Sequence, residues 1–358
     1  AMHNQSMFLS LPTGGGKSLC FWLPAVCSPG LTVVVSPLIA LIEDQLHKLR
    51  SIGIPATYLS SQLTTAQYKS ILDDLYNFDN VHNSNTTKLL YLTPERLGKS
   101  GQIIKLLKTL HQQNQLSRIV IDEAHCISEW GHDFRPDYRK LSVFQEKFPD
   151  VPITCLTASA TVEIVNDILK NLKLQKVLML QASFDRSNLR YEIKEKEEYV
   201  VNDIYDYIST KFPGKCGLIY CLTTKDCEVL SKKLNELGLN CAYYHANLTT
   251  GQRKKIQLQW MQNNIDVLCT TVAFGMGIDK PDIRFVVHHT MPWSLESYYQ
   301  QTGRAGRDGK VSDCVLFYRS DDRLRISKVA TQEQMERHHM SVVAEKLDDM
   351  VLFCEDTQ

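Results

Sequence analysis

Short apolar runs alternate with longer amphipathic stretches along the first half of the chain. Residues 8–11, 32–36, 56–59, 89–93, 119–122 and 153–157 are compact runs rich in Val, Ile and Leu, the pattern of strands buried on both faces. Between them, residues 38–50, 66–77, 102–112 and 162–172 carry apolar positions at helical spacing. Strands alternating with helices predict an α/β fold built on a parallel sheet with right-handed crossovers. The pattern breaks at residues 183–199, a strongly polar stretch. It resumes with strands predicted at 216–220, 241–244, 267–270, 285–288 and 314–317. Two consecutive α/β domains are therefore expected, residues 1–183 and 184–331, followed by a helical tail over 332–358.

A length of 358 residues suits about two domains. With 43% hydrophobic and 22% charged residues, the composition excludes a disordered, collagenous or coiled-coil chain. Every apolar run is broken by polar residues well before the ~18 that a membrane span needs. The first residues lack the basic stretch and apolar run of a secretory signal. Eleven cysteines with no CxxC pair give neither a zinc ribbon nor a disulfide framework, and read as buried reduced thiols of an intracellular protein. Forty basic residues balance forty acidic ones, so any nucleic-acid contact must be a local groove rather than a broadly basic surface.

Three segments carry chemistry. Residues 11–18 read LPTGGGKS, directly after a predicted strand and before a predicted helix. Following Thr13, the glycines Gly14, Gly15 and Gly16 let backbone N–H groups turn inward around phosphate oxygens. Lys17 can reach the β- and γ-phosphates of a nucleotide and Ser18 can ligate Mg²⁺, with the helix N-terminus adding its dipole. Leu11 stands where the strict phosphate-loop pattern has glycine. Residues 118–125 read RIVIDEAH, an apolar strand ending in two carboxylates at the rim of the sheet. Asp122 would hold Mg²⁺, Glu123 would polarise an attacking water, and His125 would reach toward the second domain.

The third segment, YYQQTGRAGRDG at residues 298–309, places Arg304 and Arg307 three apart, on one face if the segment is helical. Arginines of this kind neutralise transition-state charge on a γ-phosphate. Gln300 would sense the phosphate or the nucleophilic water. Upstream, TTVAFGMGIDK at 270–280 is expected to line the cleft through Gly277 and Asp279.

In this order, the motifs resemble those of superfamily-two helicases, and specifically the RecQ family of DNA helicases. The resemblance runs through LPTGGGKSLC, VVSPLIALIEDQ, LLYLTPERL, IDEAHCISEWGHDFRPDY, LTASA, GLIYC, YYHANL, TTVAFGMGIDKPDIRFVVH and YYQQTGRAGRDG, nearly the whole chain. It implies two RecA-like lobes with ATP between them, single-stranded DNA across their top, and 3′-to-5′ translocation with duplex unwinding. The loop holding Trp130, His132, Phe134 and Arg135 interleaves aromatic and basic residues, suited to stacking bases without sequence preference. By resemblance it relays DNA binding to the ATP site. Ser36, Thr93 and Arg96 match family positions near the DNA backbone, and Tyr220 and His245 are nominated in the second lobe.

The sequence departs from the family at Thr157-Ala158-Ser159, where TAT is usual, and at Phe21-Trp22, a packing change for the usual Tyr-Gln. The adenine-reading segment is expected upstream of residue 1, since Gln5 is too close to the loop to serve. The zinc-binding subdomain is expected beyond Gln358, so zinc is not expected here and Cys354 is not assigned as a ligand. A trimmed helicase core acting on single-stranded and forked DNA with ATP and Mg²⁺, nuclear as in the Bloom-like branch, is the expectation. A DExH RNA helicase and a nucleotide-dependent scaffold with little hydrolysis remain as alternatives.

Overall fold

The computed structural model describes residues 5–60, 63–76, 86–99, 101–128, 134–158, 160–272, 274, 280–332 and 337–356. The chain divides into two units, Ala1–Phe184 and Asp185–Gln358.

In the first unit the order is β1 (Met7–Ser10), α1 (Leu19–Cys27), β2 (Leu31–Val35), α2 (Ile39–Ser51), β3 (Ala56–Leu59), α3 (Thr65–Tyr76), β4 (Leu89–Leu92), α4 (Pro94–Lys99) and α5 (Gly101–Gln112). There follow β5 (Leu116–Ile121), a 3₁₀ turn (Ala124–Ile127), α6 (Pro136–Arg139), α7 (Ser142–Lys147), β6 (Ile153–Thr157), α8 (Val162–Asn171) and β7 (Leu178–Gln181). The strands form one sheet in the order β3-β4-β2-β5-β6-β1-β7, parallel throughout. Helices cover both faces, which is why β2 can be an unbroken Leu-Thr-Val-Val-Val. Val33 and Val35 pack toward Phe144 and Phe148, while Val34 packs on the opposite side with Phe21 and Leu46.

The second unit contains β8 (Leu189–Glu195), α9 (Val200–Lys211), β9 (Gly217–Tyr220), α10 (Thr224–Glu236), β10 (Cys241–Tyr244), α11 (Thr250–Met261) and β11 (Val267–Thr270). It continues with β12 (Phe285–His288), α12 (Leu295–Thr302), β13 (Ser312–Tyr318), α13 (Asp321–Gln332) and α14 (Arg337–Asp356). Its sheet, β10-β11-β9-β12-β13-β8, is also parallel throughout. Ile219 and Val287 face one core, and Leu218 and Val286 the other.

The polar stretch at 183–199 is not simply a linker. Seven of its residues form β8, paired with all seven residues of β13 at the sheet edge, where charged side chains are accommodated in solvent. The eleven cysteines are free thiols, and all but Cys20 and Cys27 are buried. Among the described residues, no helix is long and apolar enough to cross a membrane.

Candidate active site

Because the first sheet is parallel, the C-terminal ends of β1, β6 and β5 lie side by side, and the phosphate loop and the acid pair emerge from them. The loop turns between Ser10 and α1. Gly14 and Gly16 have φ of 82° and 81°, conformations that L side chains rarely adopt. Gly15 donates its N–H to the Pro12 carbonyl at 2.9 Å, and a Cβ there would lie 2.9 Å from that same oxygen. The three glycines are exposed, Ser18 stands at the N-terminal end of α1 without a side-chain capping bond, and the Lys17 ammonium donates to the Leu11 carbonyl at 3.4 Å. Thr157, the last residue of β6, joins loop and acid pair. Its carbonyl accepts from Leu11 N–H at 3.1 Å and its hydroxyl lies 3.1 Å from His125 Nδ1. His125, expected to reach toward the second half, is buried beside Thr157, with Glu123 Oε2 3.4 Å from the same nitrogen.

Asp122 is buried. Its Oδ1 accepts from the Glu123 N–H at 3.0 Å and its Oδ2 from Gln45 Nε2 at 3.3 Å. Burial pushes its carboxyl up to about 7, with the neighbouring Glu123 charge adding to the rise and the Lys17 ammonium opposing it. Glu123 has φ 49° and ψ 49°. A glutamate held in the left-handed region is strained by roughly 1–3 kcal/mol, a strain that collects at functional sites.

Behind Asp122 runs a line of polar groups that the motifs do not reveal. Trp22 Nε1 donates to the Tyr91 hydroxyl at 2.9 Å, and that hydroxyl donates to Gln45 Oε1 at 2.8 Å. Gln45 then meets Asp122. Trp22 is thus more than the packing change expected of it. A polar residue on the buried stripe of α2, shared with Ile42, Leu46 and Leu49, was the one available signal for Gln45. On the other side, the Tyr138 hydroxyl donates to the Asp122 backbone carbonyl at 3.1 Å.

Of the expected DNA-contacting residues, Ser36 and Thr93 sit at the C-terminal ends of adjacent strands β2 and β4, both buried. Arg135 is brought to the same end, donating to the Pro37 carbonyl at 2.9 Å. Arg96 lies over the Tyr68 ring, 4.3 Å from its centre, and Phe134 lies under the Arg139 guanidinium. Trp130, His132, Ser159, Gly277 and Asp279 lie outside the described residues.

In the second unit the arginine motif begins as α12 ends. Arg304 and Arg307 follow in turns rather than on one helical face, so the shared-face expectation is corrected. Arg304 is 5% exposed. Tyr220 and His245, nominated for DNA contact, are buried at 3% and 2% exposed, as Ser36 and Thr93 are in the first unit. The Tyr220 hydroxyl donates to the Phe274 carbonyl at 3.2 Å, its ring stacks on His288, and Arg304 hydrogen-bonds its side chain. His245 Nε2 lies 3.0 Å from Glu228 Oε1. Gln300 is half-buried on α12, whereas Gln301 beside it is buried with Oε1 2.8 Å from His288 Nε2. Tyr220 thus supports Arg304, with His288 and Gln301 linked in turn behind it.

The DEAD/DEAH box helicase family matches residues 1–168, and the helicase conserved C-terminal domain matches residues 199–309. Fold and matches together define a helicase core of two RecA-like units. Solved structures share that fold. The DUF1998 helicase MrfA bound to DNA has a TM-score of 0.70 at 17% identity, covering 92% of this chain and 49% of that one. Saccharomyces cerevisiae Dbp5 bound to RNA and ADP BeF3 has a TM-score of 0.66 at 17% identity, covering 97% and 90%.

At the level of sequence the chain is 44% identical to RecQ-like DNA helicase BLM of Xenopus laevis, over 98% of this chain and 26% of that protein. It is 43% identical to ATP-dependent DNA helicase Q1 of Rattus norvegicus over 99% and 56%, and 40% identical to ATP-dependent helicase SGS1 of Saccharomyces cerevisiae over 99% and 24%. The chain belongs to the RecQ family of helicases. It spans 24% to 56% of the length of these relatives.

Proposed function

We propose that the chain is an ATP-dependent DNA helicase core, coupling ATP hydrolysis to 3′-to-5′ movement on single-stranded DNA and to unwinding of forked duplexes in repair and recombination. One observation carries the catalytic half of this reading: a lysine-bearing glycine loop and an acid pair with Asp122 buried leave nearby ends of one parallel sheet, linked by Thr157 through His125. The names of the Xenopus laevis and Rattus norvegicus relatives, both DNA helicases, support DNA as the substrate, and the eukaryotic origin of these relatives is what favours the nucleus as the place of action.

In this reading Thr13 to Gly16 wrap the phosphates and Lys17 offsets their charge. The residues present suit a divalent cation: Asp122 is a buried carboxylate beside a second one, pushed up by burial and by like charge. Ser18 and Asp122 would hold Mg²⁺, which supplies charge neutralisation to the phosphates when bound. Glu123, fixed by its strained backbone, orients the attacking water and takes its proton. Arg304 and Arg307 meet the charge that develops on the γ-phosphate. Arg135, tied to the β2–α2 loop, and Tyr138, tied to the Asp122 carbonyl, give the residues after the aromatic-rich loop a hydrogen-bonded path to the acid pair.

Steady-state ATP hydrolysis with and without single-stranded DNA tests the reading. Hydrolysis is expected to rise with DNA, and Glu123→Gln should bind ATP normally while losing about 10²-fold or more in kcat. Stimulation by RNA but not DNA would make it an RNA helicase, and hydrolysis by Glu123→Gln at the parental rate would remove Glu123 from catalysis.

A further inference from the structure

The turn that carries Arg304 and Arg307 is not held by helix or sheet ladder, yet its carbonyls are collected by one side chain. Arg186, the second residue of the second unit, donates from Nη2 to the carbonyls of Ala305 and Gly306, both at 3.0 Å, and from Nη1 to that of Gly303 at 3.4 Å. Its Nε donates to Asn188 Oδ1 at 3.3 Å, which turns the Asn188 amide nitrogen toward the motif. That nitrogen donates to the carbonyls of Gly306 at 2.9 Å and Lys310 at 3.0 Å. Gly306 has φ 56°, and a Cβ there would fall 2.5 Å from Asn188 Nδ2, so the clamp and the glycine are fitted to each other. Three residues further on, the Tyr191 side chain hydrogen-bonds Thr302, and the Asn188 carbonyl accepts from Ser312 N–H at 2.9 Å.

We propose that Arg186, seconded by Asn188, is the positioning residue for the arginine pair, an inference that rests on the ATPase reading above. A planar fork of five N–H donors can bind several carbonyls of one turn at once, whereas a lysine ammonium is a single point of charge. The bonded carbonyls flank Arg304 and immediately precede Arg307, so releasing them lets both guanidinium heads wander. A displacement of about 1 Å from productive geometry costs on the order of 10²-fold in rate. Arg186 itself touches no reacting atom. The backbone that crosses from the first unit enters the second through this clamp, with Arg186 one residue past the boundary.

The test uses the full chain with R186A, R186K, N188A, R304A and the R186A/R304A double variant. R186A should lower kcat for DNA-stimulated ATP hydrolysis about tenfold or more while KM for ATP stays within about twofold, because only transition-state contacts are loosened. R186K and N188A should be milder losses with the same split. The double variant should lose less than the product of the two single losses, since Arg186 acts in part through Arg304. Limited trypsin digestion read by mass spectrometry should show new cleavage after Arg304 or Arg307 in R186A but not in the parent. Parental kcat in R186A, a loss that multiplies that of R304A, or an unchanged tryptic pattern would overturn the proposal. A parent without DNA-stimulated hydrolysis would overturn the functional reading instead, and the tryptic pattern would then decide the clamp alone.

Discussion

Four side chains in a line, Trp22, Tyr91, Gln45 and Asp122, decide how one carboxylate is held. The Tyr91 hydroxyl is the middle link, accepting from the indole and donating to the amide. Tyr91→Phe keeps the ring but leaves the Trp22 N–H and the Gln45 oxygen without that hydroxyl, a cost of about 1–3 kcal/mol that urea unfolding should register. The phosphate loop, Asp122, Glu123 and the arginines are legible in sequence because phosphate chemistry dictates both residue type and spacing. Tyr91 and Gln45 are not, because their partners lie 46 and 77 positions away and only the folded sheet brings them together. Tyr220 and His245 are found buried, which the motifs do not foretell, because a polar aromatic within a motif can be buried support as readily as exposed contact.

At the level of elements, helix α10 shows how a local signal becomes a tertiary joint. Thr223 and Asp226 form a reciprocal capping box, and both carboxylate oxygens of Asp226 also accept from Arg325 Nη2 of α13, at 2.6 and 2.7 Å. Thr223→Ala should cost about 1 kcal/mol, and Asp226→Ala more, since it removes the box and the α10–α13 pair together; denaturant midpoints give the order. Strands with both faces covered, such as β2 and β9, read from sequence almost to the residue because burial leaves them only apolar choices. Strands β7 and β8 escape that reading. They lie at sheet edges where half or more of their side chains meet solvent, so Arg190, Glu192 and Lys194 imitate a linker.

For the molecule as a whole, the two units answer acid in opposite directions. Burial depresses the His288 imidazole to about 4, against the opposing Gln301 hydrogen bond, and burial also lowers His289. In the unfolded chain both would take up protons near pH ~6.5, while the folded unit refuses them, so its stability falls as pH drops below that point. Asp122, raised to about 7, retains its proton when folded and loses it near pH ~4 when unfolded, so the first unit gains stability over the same descent. Without nucleotide or divalent cation, acidification from about pH 7 to 5 should therefore weaken amide protection in Asp185–Gln358 relative to Ala1–Phe184, as read by hydrogen exchange corrected for intrinsic rates. The parallel sheets carry a further consequence. No neighbouring strands among those described can be joined by a tight hairpin, so each pairing waits for a crossover segment to close on itself. Newly made or diluted chains must therefore pass slowly through states with bare apolar strands, and recovery from denaturant will be governed by how often two such chains meet.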